Sequence, residues 1–200
     1  SFLSLVWSGG DEPILQSASS ILGPWFDVSG AKSPYRAPDP VSSAYYRLKD
    51  GKSYAARTFG VIRRQLVAGD NLVCNPLQIG NNNPAQVWRG ALDGTVVFGF
   101  AKSQFSSPNV NVQGRWTDTA ASYPPGRGYL LRSPSAVRLE FWGEVPAGVI
   151  SQPLERGYNL VSSVVPQAGK LEADLKYVPA NGDIVHRRRA NGSYFRTAFD

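Results

Sequence analysis

The chain has 200 residues, 42% of them apolar and 12% aromatic, enough to bury a core without disulfides or metals. Only 18% are charged, and with Gly 20 and Pro 15 this composition describes short strands joined by tight turns, excluding a disordered tail and disfavouring helices. A net charge of +6 raises the question of a polyanion partner, but apart from one cluster the basic residues are scattered.

No stretch reaches the roughly 18 apolar residues of a membrane helix. The chain contains no Met, so Ser1 reads as the new end of a processed exported chain or of a fragment. The single Cys74, within Asn71-Leu72-Val73-Cys74-Asn75-Pro76, reads as a small buried strand residue.

In chain order, residues 1–56 form a short β module with strand signals at Phe2, Leu3, Leu5, Val6 and Trp7, then at 13–17, 23–26 and 44–48. Residues 28–41, with three Pro, are the long loop, and Trp7 and Trp25 are expected in a core. From 57 the pattern changes. Gly60-Val61-Ile62, Leu66, Gly69 and Asn71-Leu72-Val73 recur as Gly148-Val149-Ile150, Leu154, Gly157 and Asn159-Leu160-Val161, 8 identities in 14 positions at a constant offset of 88. Asp93-Gly94-Thr95-Val96-Val97 falls on Asn181-Gly182-Asp183-Ile184-Val185 in the same register.

The expected fold class is therefore all-β: the short N-terminal module 1–56, a complete β-sandwich or barrel-like repeat 57–147, and a truncated second copy 148–200 holding 53 of 88 positions. Strands are expected at 61–67, 71–75, 95–100, 128–132 and 137–142. In the last, Val137, Leu139 and Phe141 alternate with Arg138 and Glu140. Asp93-Gly94, Asn181-Gly182 and Asn191-Gly192 mark hairpin turns, and 171–177 is one weak helical candidate. A truncated β domain leaves backbone groups unpaired, and the N-terminal run Phe2, Leu3, Leu5, Val6, Trp7 is the candidate donor for strand exchange between subunits, a route to a homo-oligomer or filament.

The run Leu15-Gln16-Ser17, Gly23-Pro24-Trp25, Ser33-Pro34-Tyr35 and Tyr45-Tyr46-Arg47-Leu48 resembles a short fibronectin-type-III-like segment of large exported proteins of Verrucomicrobia and related bacteria. The repeat, with Gly-x-Asn-Leu-Val, Gly-x-Gly-Tyr and Phe-Trp-Gly-Glu-Val-Pro at 141–146, resembles uncharacterised secreted proteins of the same bacteria. The resemblance spans nearly the whole chain. It implies export to the cell surface or beyond and a structural role.

Chemistry is sparse. The one His, His186, stands where the first copy has Phe98, which argues against a required base. One Cys and one His cannot build a zinc site, Asp11-Glu12 and Asp118 lack calcium-loop spacing, and no phosphate-binding glycine loop precedes a helix, so no metal or cofactor is expected. Glu140, Glu144, Asp183 and Asp93 are the carboxylates a glycosidase would draw on, with Glu140 and Glu144 read as strand surface flanking a turn. Trp88, Trp116 and Tyr123 are candidate sugar platforms against core packing. Arg187, Arg188 and Arg189 are either a solvated strand end or a contact for an anionic partner. A nucleic-acid partner is not expected. Two readings follow: a non-enzymatic structural component of an extracellular assembly, or a carbohydrate-binding or adhesive module of a larger secreted protein.

Overall fold

The computed structural model describes residues 3–8, 13–40, 43–50, 53–147, 151–189 and 193–200, with backbone alone for 53–56. Phe2, the Asp11-Glu12 pair, Gly148-Val149-Ile150 and the Asn191-Gly192 turn lie outside the described residues. The protein is all-β, as its composition and alternation require: strands take 42% of the chain and helix 2%.

The chain opens with β1 (Ser4–Leu5), β2 (Ile14–Ala18), β3 (Phe26–Asp27), β4 (Tyr35–Arg36), β5 (Ser43–Asp50) and the long β6 (Ser53–Leu66). It continues with β7 (Gly69–Cys74), the short helix α1 (Pro84–Val87), β8 (Val96–Phe98), β9 (Phe100–Ala101), β10 (Gln104–Phe105), β11 (Asn109–Val112) and β12 (Arg115–Trp116). The last strands are β13 (Gly128–Ser133), β14 (Val137–Glu144), β15 (Ile184–Arg188) and β16 (Tyr194–Ala198). One antiparallel sheet runs β14-β6-β5-β2-β3 and a second runs β12-β11-β8-β13-β7. The chain crosses from the first sheet to the second at Val67-Ala68 and back at Pro134-Ser135-Ala136, so β6–β14 and β7–β13 are successive stretches of one long pair.

The side-chain period of two explains what each face buries. On β14, Leu139 and Phe141 face a core that takes Ile62 and Leu66 from β6, Tyr45 from β5 and Val97, Tyr129 and Leu131 from the other sheet. The neighbouring positions point the opposite way. There Leu15, Tyr46, Phe59, Ala44 and Leu48 meet Leu3, Leu5, Trp7, Tyr35 and Ala37 of the N-terminal segment. The first sheet is thus buried on both faces, which is why β5 reads Ala-Tyr-Tyr-Arg-Leu rather than alternating apolar with polar.

Packing units and sequence periods do not coincide. Compact packing divides the chain into Ser1–Pro166 and Gln167–Asp200. β6 runs straight across position 56/57, and one sheet joins β2, β3 and β5 with β6 and β14. The reason is hydrogen bonding: the three N-terminal strands β3-β2-β5 by themselves would leave the β5 edge unpaired, and β6 covers it.

The helical candidate 171–177 is a turn, in which the Asp174 carboxylate accepts from the Lys170 amide at 2.7 Å and Lys176 has φ +57°. Seven residues are too few to nucleate a helix unaided. The helix that does form was signalled by Asn83-Pro84: Asn83 Oδ1 accepts from the Gln86 amide at 3.0 Å and Pro occupies the first turn, where its missing N–H costs nothing.

The offset of 88 reappears as local geometry. Gly69 (φ +86°) and Gly157 (φ +100°) both take the left-handed conformation that favours glycine. Asn71 accepts from the Val67 amide at 3.1 Å and donates to the Val67 and Gly69 carbonyls at 2.9 Å each. Asn159 accepts from the Glu155 amide at 3.0 Å and donates to the Glu155 and Gly157 carbonyls at 2.7 and 3.1 Å. The side chain ties the same five-residue loop in both places. Beyond the loop the settings differ. β7 pairs with β13 over six residues, whereas 157–162 meets Gly126–Gly128 in a single antiparallel bridge, with Gly128 N donating to Leu160 O at 2.8 Å and Ser162 N to Gly126 O at 3.0 Å. A Cβ on Gly128 would sit 2.6 Å from Leu160 Cγ, so only glycine admits this bridge.

Asn71 is buried and Asn159 exposed, so Asn71→Ala is expected to cost about 1–3 kcal/mol and Asn159→Ala well under about 1. Denaturant melts followed by Trp fluorescence measure both; equal effects would show that burial does not set the strength of the motif.

Candidate functional site

The aromatic candidates are core. Trp88 is 1% exposed, Tyr123 5% and Trp116 6%, which leaves no ring face for a sugar. Trp88, held at the end of α1 by its amide donating to Pro84 O at 2.9 Å, meets Tyr123, Tyr129 and Phe141 edge to face at centroid distances of 5.2, 5.7 and 6.0 Å. Burial raises the Tyr123 and Tyr129 phenols above their ordinary range. The sequence placed these residues beside loops, but α1 and the 117–125 segment fold inward over the open end of the sandwich, because buried asparagines satisfy the loop backbone from inside. Asn75 Nδ2 donates to Tyr123 O at 2.9 Å, and Asn82 Oδ1 accepts from Ile79 N at 3.0 Å. Asn109 Nδ2 donates to Asp118 O at 2.8 Å and to the Tyr123 hydroxyl at 2.9 Å.

The N-terminal run is engaged at home. β1 pairs with β4 in the register Ser4↔Arg36 and Leu5↔Tyr35, Ala37 N donates to Leu3 O at 2.9 Å, and Ser33 brackets Trp7 through two hydrogen bonds of 3.0 and 2.8 Å. Leu5 is buried, Leu3 and Trp7 are half-buried against the second core, and Val6 alone of the four is 75% exposed. Donation of this run to another subunit would strip one face of the first sheet, since here the run is paired and packed within its own chain.

The carboxylates are also committed. Glu140 and Glu144 both lie on β14, with no turn between them, and their Cα atoms are about 13 Å apart at strand rise. Glu140 bonds Arg63 at 2.8 and 2.7 Å and receives the Trp142 indole N–H; Glu144 pairs with Arg57 at 3.0 Å. Asp118 Oδ1 accepts from Ala120 N and Ala121 N, closing its own loop. Asp93 accepts from the Gln113 amide. Asp183 accepts from Ala180 N at 2.9 Å and from the Tyr177 hydroxyl at 2.5 Å, which holds its carboxyl below the usual range. Among the described residues no three His, Cys, Asp or Glu side chains converge as a metal site would require, and no helix is long and apolar enough to cross a membrane. One open groove of about 510 Å³ lies beside Trp7, Ile14, Asp27 and Lys32, with Asp27 already accepting from Gln16 Nε2 at 2.7 Å.

Arg187, Arg188 and Arg189 are exposed at the end of the β15–β16 hairpin, in the unit Gln167–Asp200. The hairpin repeats the backbone of β8–β11. In the first copy Gly94 N donates to Asn111 O at 2.8 Å, Asn111 N to Thr95 O at 2.8 Å and Thr95 N to Leu92 O at 3.0 Å. Eighty-eight positions on, Gly182 N donates to Phe199 O at 2.8 Å, Phe199 N to Asp183 O at 3.0 Å and Asp183 N to Ala180 O at 3.0 Å. The pairs Val96↔Val110 and Val97↔Asn109 become Ile184↔Ala198 and Val185↔Thr197. One thing differs. The outer edge of β8 is covered by β13, in the register Leu130↔Phe98, Leu131↔Val97 and Arg132↔Val96, whereas β15 and β16 form a two-stranded sheet among the described residues.

Comparison of the chain with protein-family models, with curated proteins and with solved structures finds no match.

Proposed function

We propose that this chain is a non-enzymatic structural component of an extracellular or cell-surface assembly, joined to its neighbour by addition of a strand to the edge of β15. The observation that carries the reading is the internal comparison: the same hairpin made by β8 and β11 has its outer edge filled by β13. Two-stranded ribbons are marginal alone and gain from a third strand. The extracellular or cell-surface setting is what the sequence resemblance implies. The incoming strand is one of the β13 kind, Gly-Tyr-Leu-Leu-Arg-Ser, with a single Arg, rather than a second β15, because His186-Arg187-Arg188-Arg189 facing its own copy would set three like charges side by side.

The register specifies the test. Asp183 O accepts from Phe199 N and Arg189 N donates to Ser193 O across the hairpin, so by alternation Ile184 turns its backbone groups to the other edge of β15. A peptide carrying residues 126–135, titrated to about 1 mM to reach weak affinities, is expected to shift the amide resonances of 184–188 saturably. Ile184→Pro removes one donor from the outer edge of β15 and none from the hairpin, and is expected to abolish the shifts while the β16 resonances persist. Absence of any shift in the wild-type chain would overturn the reading.

A further inference from the structure

The two hairpins share a backbone but not a charge. Where β8 and the residues after it carry Phe98, Gly99, Phe100 and Ala101, β15 and its continuation carry His186, Arg187, Arg188 and Arg189, and Arg196 stands in the place of Pro108. The first copy makes the same turn hydrogen bonds without these charges, so the fold does not call for them. Four arginines and no acid lie between Ile184 and Phe199. All four are exposed. Cross-strand pairing sorts them by face: Arg187 and Arg189 share one face with Phe195, and Arg188, Arg196 and His186 share the other with Tyr194. The guanidinium carbons of Arg187 and Arg189 lie 5.6 and 5.5 Å from the Phe195 ring centroid. Both lie within cation–π reach of the ring, and an arginine fork is suited to meet carboxylate or sulfate two bonds at a time.

We propose that the β15–β16 hairpin is a binding element for an anionic polysaccharide, with its arginines on the carboxylate or sulfate groups and Phe195 and Tyr194, 42% and 55% exposed, against the sugar rings. Sparse charge favours a glycan over nucleic acid. Tight nucleic-acid binding draws on about 6–10 phosphate contacts, whereas each face here offers two or three basic groups. The inference is independent of strand addition at the edge.

The test uses the full chain with polygalacturonate, dextran sulfate, neutral dextran and a mixed-sequence single-stranded oligonucleotide, each at the same salt concentrations. Binding is expected to either acidic glycan and not to dextran, with a shallow salt dependence reflecting about two to four released counterions. The variant Arg187→Ser/Arg189→Ala/Arg196→Ser, which approaches the uncharged first copy, is expected to keep the wild-type circular dichroism and to bind at least about tenfold more weakly. Three results would overturn the proposal: oligonucleotide bound more tightly than glycan, glycan binding unchanged in the variant, or no glycan binding together with self-association of the variant, which would make the arginines guards of an open strand edge.

Discussion

Trp88→Ala is expected to lower the unfolding free energy of the unit containing it by about 3–5 kcal/mol, the cost of removing a fully buried indole whose surroundings collapse only in part. The cavity would open at the junction of both sheets. Phe141 comes from β14, Tyr129 from β13 and Tyr123 from the loop before it, and each loses an edge-to-face partner as well as buried area. The hydrogen bond from the residue 88 amide to Pro84 O is a backbone contact that the variant keeps, so the loss is that of the side chain. All five Trp lie within Ser1–Pro166, so fluorescence in a guanidinium titration reports this unit alone. Trp142→Ala is the comparison: its ring lies under Arg89 at 4.3 Å on a half-buried face, and its loss should cost clearly less. Equal midpoints for the two variants would refute the assignment of Trp88 as the centre of the core.

Glu140→Ala is expected to cost about 3 kcal/mol, because it strands the Arg63 guanidinium in a site where removing one partner of a buried pair outweighs losing the pair itself. The Arg63 side chain is 7% exposed and that of Glu140 20%. Arg63 still reaches the Pro40 carbonyl and Asp39, which keeps the effect toward the lower end. The double variant Arg63→Met/Glu140→Leu should recover much of the loss, since it removes both charges and keeps apolar volume. A double variant less stable than Glu140→Ala would show that the pair contributes net attraction. The exposed Arg132–Asp70 pair, 56% and 47% exposed, supplies the contrast, and its removal should fall within error.

Strand identity was written locally. The alternation Val137-Leu139-Phe141 against Arg138-Glu140 specifies both the strand and which side of it joins the larger core, because a one-residue slip would turn Leu139 and Phe141 away from it. The two Gly-x-Asn loops and the Asp93-Gly94 and Asn181-Gly182 turns were likewise legible, since each rests on a positive φ or a side chain bonding its own backbone within five residues. Other features depend on what lies across the chain. Arg63 and Glu140 are 77 residues apart, and nothing near either one announces the pairing.

Sequence alone therefore determined an all-β chain, the alternating faces of β14, the offset of 88 between two loops tied by an Asn side chain, and turns at Asp93-Gly94 and Asn181-Gly182 that lead into β8 and β15 and, against the expectation of hairpins, join no two paired strands. Tertiary structure alone decided that residues 1–56 and 57–147 share one sheet, and that Phe2-to-Trp7 chemistry is spent in cis from Leu3 onward. It also decided that Trp88, Trp116 and Tyr123 are interior, while Tyr194 and Phe195 stand exposed beside the arginines. The division is physical. Turn and alternation signals are set by neighbours within a few residues, whereas burial is set by whichever distant element covers a face, and an aromatic beside a loop carries no mark of whether that loop folds inward.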